Sequence, residues 1–225
     1  MNTHIITKDQ IDAEGYYTGA SADFDGHLEI APDIGIVLFK LSLSAKGSII
    51  AMAGSGIKAG LGIEAGWGIK AGLGIKAGSD IEAGLGIEAG LGIEAGLGIE
   101  AGWGIKAGLG IKAGSDIEAG EGIKAGWGIE AGWGIKAGLG IEAGEGIKAG
   151  LGIEAGSGIK AGSDIEAGWG IEAGSGIKAG GGIEVKLRVF AGLCIWRIPT
   201  EEEQTVTCKK FTGTLAYGKL VETSK

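Results

Sequence analysis

The sequence predicts an all-β fold, a parallel β-solenoid (β-helix) of A-G-x-G-I-(K/E) hexads with non-repeat β caps at both ends. Three observations carry this. Residues 53–184 are 22 consecutive hexads, with isoleucine at every sixth position from Ile57 to Ile183. Glycine fills two slots of nearly every hexad and makes up 50 of the 225 residues. The chain is nonetheless 44% hydrophobic, which a disordered Gly-rich linker is not.

Each slot of the hexad has a physical reading. Within I-(K/E)-A the side chains alternate, as in a strand: Ile inward, the charge outward, Ala inward. The G-x-G that follows breaks the strand, and glycine's tolerance of positive φ lets the chain turn there. Two glycines in six would be too costly for a helix. Their alternating spacing of two and four excludes collagen and polyproline II, which need glycine at every third position.

The hexad frame reaches beyond the regular stretch. Leu43 to Ile49 is one hexad, Ile183, Val189 and Ile195 continue the spacing, and a slip of two residues falls between Ile49 and Ile57. The expected organisation is therefore a β cap over residues 1–42, the solenoid over residues 43–196, and a hairpin-like β cap over residues 197–225. Open solenoid ends need such covers. Residues 28–30 and 34–43 read as strands, residues 205–211 and 214–221 as a hairpin-like pair around Gly213, and the apolar run 189–196 as a plug or dimer contact. Coil size stays open between two and three hexads. Residues 65–84 recur identically at 101–120, a spacing of 36 that fits both. The Ser-Asp variants begin at Ser79, Ser115 and Ser163, and the second gap, 48, divides by 12 and not by 18, which points to two.

Stacked coils place equivalent residues in ladders about 4.8 Å apart. The charged slot holds ten Lys and twelve Glu, a mixture that avoids self-repelling ladders. The slot between the glycines holds eight Leu, six Ser, five Trp, two Glu and one Gly. So varied a slot is not tightly packed. It either lines a corner partly covered by neighbouring coils or forms an exposed Trp/Leu stripe. The second reading makes Trp67, Trp103, Trp127, Trp133 and Trp169 the candidate binding residues. Asp80, Asp116 and Asp164 read as replacements for a turn glycine.

The Ile-x-Ala-Gly-x-Gly hexads resemble hexapeptide-repeat β-helices in general and the Gly-rich repeats of bactofilin-type polymer-forming proteins. The resemblance covers residues 43–196 and implies a fold rather than a role. Left-handed hexapeptide β-helices place the small residue four after the aliphatic one, whereas here Ala follows Ile by two. Hexapeptide acyltransferases are similar in fold but act through a histidine on the coils, and none lies in residues 53–184, so their activity does not carry over. Ice-binding solenoids use ranks of Thr, which the hexads lack. In style the chain also resembles phage-encoded repeat inhibitors, some of which imitate DNA through negative charge, although lysine is interspersed here.

The net charge of −8 gives no broad basic surface for nucleic acid. Residues 1–6 lack a basic region followed by an apolar run, and no uncharged apolar stretch is long enough to span a membrane. A cytoplasmic protein with reduced Cys194 and Cys208 is expected. His4 and His27 are the only histidines, and His27 reads as part of an acidic turn before a strand. No catalytic residue, metal site or cofactor is assigned. The expected function is non-catalytic binding of a protein partner through the acidic or Trp/Leu-lined face, as an inhibitor of a bacterial host defence system. A self-assembling scaffold and a carbohydrate-binding protein are the alternatives, with homo-oligomers possible.

Overall fold

In the computed structural model of the chain, residues 1–193 and 198–223 are described. The expectations placed on Cys194, Ile195 and Trp196 lie outside them. The chain is an all-β parallel β-solenoid. It divides into two units, Met1–Gly114 and Ser115–Lys225.

In the first unit, Ile63–Ala65, Ile81–Ala83 and Ile99–Ala101 pair in parallel, Ile on Ile, Glu on Glu and Ala on Ala. Partners are 18 residues apart, so one coil holds three hexads, not the two suggested by the 48-residue gap. We label the sides of a coil by their place in this period. Side A comprises Ile69–Ala71, Ile87–Ala89 and Ile105–Ala107. Side B comprises Ser55–Ala59, Ile75–Ala77, Ile93–Ala95 and Ile111–Ala113. Side C is the ladder that includes Ile81–Ala83. Ile and Ala of the hexads are buried on every side, and the charged residue between them points outward. Each isoleucine taken from water contributes roughly 1.5–3 kcal/mol, so three per coil build a continuous apolar column.

The residues before the hexads form wider coils. Thr3–Ile6 lies on His27–Ile30, which lies on Ile49–Ala51. The partners Thr3↔His27, Leu28↔Ile49 and Ile49↔Ile69 are 24, 21 and 20 residues apart, so the coils tighten towards the regular period. The slip between Ile49 and Ile57 is absorbed at a corner, where Gly54 has φ 71°. The buried Ser55 hydroxyl holds that corner: it donates to the Ala31 carbonyl at 2.7 Å and accepts from the Ile34 N–H at 3.1 Å.

In the second unit three ladders of the same 18-residue period run through residues 117–179, and take the labels A, B and C from their place in it. Side A continues onto Thr205–Cys208 and then Lys219–Glu222, again in parallel. Lys210–Tyr217 pairs in parallel with Gly182–Ala191. The hairpin expected across residues 205–221 is therefore not formed. Gly213 sits within a strand, at φ 144°, where an added Cβ would meet the Val185 side chain at 2.4 Å. The apolar edges left by the last hexads are covered by further coils, with Val206 and Cys208 buried beneath.

The corner glycines also depart from expectation. None of the hexad glycines between Gly60 and Gly180 has positive φ. Their requirement is close approach. The first glycine of each corner faces the carbonyl of its counterpart one coil earlier: a Cβ on Gly96 would lie 2.0 Å from the Gly78 oxygen. The second glycine has more room, with a Cβ on Gly92 3.3 Å from the Gly110 oxygen. Gly96→Ala therefore costs about 3 kcal/mol by forcing coils apart, whereas Gly92→Ala costs less than about 1 kcal/mol. Urea unfolding of the two variants checks the contrast; equal losses would refute the stacking argument.

Candidate protein-docking side

The 18-residue period decides which variable residues meet. Residues six apart occupy successive corners, and only those 18 or 36 apart stack. In the first unit, the corner from side C to side A carries Trp67, Leu85 and Trp103 on successive coils, joined by backbone hydrogen bonds of 3.0 and 3.1 Å. In the second unit, the corner from side B to side C carries Trp133, Leu151, Trp169 and Leu187 in the same manner. Trp127 lies on a different corner of that unit, between sides A and B. The tryptophans are thus not one stripe. All five are exposed, from 47% for Trp67 to 59% for Trp169, so the slot is a surface slot. Among the described residues, Trp67 alone of the five has an aromatic neighbour, the His27 ring edge-on at 4.9 Å. His27 Nδ1 in turn accepts the Ser48 N–H at 3.0 Å, a structural use of that histidine.

The same period sorts the charges, which the linear sequence leaves looking mixed. In the first unit, side A stacks Lys70, Glu88 and Lys106, with Glu88 paired to both lysines at 3.3 and 3.9 Å. Side B pairs Lys76 with Glu94 at 2.7 Å. Side C stacks Glu64, Glu82 and Glu100 with no lysine among them. Desolvation by burial, then the carboxylates of Glu100, Glu64 and Asp80, push the Glu82 carboxyl above its ordinary value. In the second unit side C stacks Glu118, Lys136, Glu154 and Glu172. Lys136 reaches Glu154 at 3.7 Å, and Glu172 is stacked on Glu154 with Phe190 on its other side. Side A of that unit differs, with Glu142 held between Lys124 at 2.8 Å and Lys160 at 3.3 Å.

A groove of about 710 Å³ opens on side C of the second unit. One flank is Leu151, Trp169 and Leu187; its floor carries Glu118, Lys136, Glu154 and Glu172, and Phe190 and Arg188 line it further along. In the first unit, then, a lysine-free acidic ladder is bordered by a tryptophan corner; in the second, sides B and C each stack three glutamates with one lysine on either side of the Trp133–Trp169 corner, and the groove opens on side C. The candidates Trp67 and Trp103 border side C in one unit and Trp133 and Trp169 in the other. The glutamates went unrecognised in the sequence because their stacking depends on the coil length.

The Ser-Asp variants have a specific role. Asp80, Asp116 and Asp164 replace the second glycine, yet none has positive φ. Each Oδ1 accepts the N–H of the second glycine one coil later: Asp80 from Gly98 at 2.8 Å, Asp116 from Gly134 at 2.8 Å, Asp164 from Gly182 at 2.6 Å. They clip coil to coil. Asp80 and Asp116 both precede side C, whereas Asp164 precedes side B, which is why the second gap is not a multiple of 18. Among the described residues no three His, Cys, Asp or Glu side chains are grouped to hold a metal ion. Nor, among the described residues, is any helix long and apolar enough to cross a membrane. Cys208 is buried, and desolvation raises its thiol pKa above the usual value.

No protein-family model, curated protein or solved structure matches the chain.

Asp80→Ala leaves the Gly98 N–H without this acceptor and lowers stability by about 1.5 kcal/mol, with Asp80→Asn losing less; chemical denaturation of both reads the difference. The Glu82 site has an opposite sign of pH dependence to an ion-paired carboxylate. Its folded-state pKa lies above the unfolded one, so its penalty is present above the raised pKa and is relieved as pH falls through it. Glu82→Gln therefore raises the melting temperature in neutral buffer and leaves it nearly unchanged in acid. A larger gain in acid than at neutrality would contradict the crowding of carboxylates on side C.

Proposed function

We propose that the chain is a non-catalytic protein-binding solenoid that docks a basic partner surface on side C. The observation that carries this is the coincidence of an exposed tryptophan corner with a lysine-free acidic ladder in the first unit and with a carboxylate-rich groove in the second. Exposed aromatic ridges supply rigid contact area at low entropic cost, and cations pack on indole faces while pairing with carboxylates. In the first unit, Glu64, Glu82 and Glu100, stacked without lysine, leave a field that steers a basic surface towards them. Sequence variation confined to the outward slots suits a protein whose role is carried by its surface. Acting as an inhibitor, by occupying the basic site of a bacterial host defence protein, is the form of binding we favour, since it requires only such a surface. Resemblance to bactofilin-type repeats remains one of fold.

The test is charge reversal by side. Glu64→Lys, Glu82→Lys and Glu100→Lys together remove the ladder of the first unit. Lys70→Glu and Lys106→Glu reverse the lysines of side A in the same unit. Both variants and the parent protein are used to capture partners from bacterial extract, with folding checked by circular dichroism. The expected outcome is a basic partner held by the parent and the side A variant and lost from the side C variant. Retention by all three, or loss from the side A variant alone, overturns the assignment of side C.

A further inference from the structure

We infer that the groove on side C of the second unit seats an arginine side chain of the partner, stacked on Trp169 and paired with Glu172. This rests on the docking role proposed above and gives it a recognition element. Three observations lead to it. The groove is open to solvent and, at about 710 Å³, has room for a side chain. Its carboxylates outnumber its cations: Asp116, Glu118, Glu154 and Glu172 against Lys136 and Arg188. The cation nearest Glu154 in the ladder is already engaged, Lys136 at 3.7 Å, whereas Glu172 has a carboxylate on one neighbouring coil and Phe190 on the other.

Glu172 is therefore the floor carboxylate that gains most from an added cation, because that cation also offsets its repulsion with Glu154. Trp169, 59% exposed, stands at the groove edge three residues before it in sequence. Leu151 and Leu187 flank the indole one coil to either side and line the same wall. A planar guanidinium satisfies this geometry better than an ammonium. It offers a face to the indole and a two-pronged edge to the carboxylate, and it sheds water more readily. Its aliphatic stem then lies along the leucines.

The test uses the full chain and a blocked tetra-arginine peptide as probe, with tetra-lysine as comparison, in calorimetric titrations. Expected is tighter binding of tetra-arginine than of tetra-lysine, weakened at least about fivefold by Glu172→Gln and by Trp169→Ala. Each point change removes one charge-assisted or cation–π contact. Glu142→Gln, on side A of the same unit and already held between Lys124 and Lys160, leaves this peptide's affinity unchanged. Equal affinity for the two peptides overturns the arginine seat. Loss of binding in Glu82→Gln but not in Glu172→Gln overturns the groove while leaving side C as the docking side. Absence of binding to the parent chain overturns the groove inference, and the partner-capture experiment then judges side C independently. Trp169 is a surface residue, so its variant should melt as the parent does; if it does not, Glu172→Gln alone decides.

Discussion

At each corner the carbonyl of a glycine points at the Cα of the glycine one coil later, closely enough to leave no room for a single carbon between them. The regular coil geometry depends on this contact. It lets the coils approach to strand-pairing distance at the corners as well as along the sides, so the hydrogen-bond ladder continues through the turns: the N–H of the first glycine, of the variable residue and of isoleucine all reach a neighbouring coil. With the corners so tight, only isoleucine and alanine fit within, and the bulky and charged residues are driven outward. The hexad is the sequence record of that constraint.

Much of the fold was legible for this reason. The alternation of Ile, charge and Ala fixes which side chains are buried, and the glycine pairs mark every corner. The origin of the glycine requirement was not legible, since positive φ and close approach select the same residue. Coil length was not legible either. Every hexad presents the same core, so nothing inside the repeat distinguishes its three sides. The one clue, the placement of Ser-Asp, misled because Asp164 clips a different corner from Asp80 and Asp116. At the C-terminus the strands were recognised but paired wrongly. Gly213 looks like a hairpin turn in sequence, whereas its lack of a side chain answers the approach of Val185 within a parallel ladder.

The candidate site follows the same pattern. The tryptophans stood out because they interrupt a run of small residues. The glutamates did not, since ten lysines and twelve glutamates read in order look evenly mixed. Folding the order into a period of 18 separates Glu88 and Glu142, each held between two lysines on side A, from the lysine-free stack of Glu64, Glu82 and Glu100 on side C. Surface charge in such a protein belongs to the period of the coil, one level above the hexad.

That separation of levels gives the gene two kinds of length change. Near-identical repeats invite unequal recombination, and the recurrence of residues 65–84 at 101–120 spans 36 residues, two whole coils. Gain or loss of whole coils keeps every downstream residue on its side. Gain or loss of a single hexad leaves the core and the corners intact yet moves every downstream lysine, glutamate and tryptophan to the next side. One recombination event can thus rewrite the binding surface of a folded protein at almost no cost to its interior.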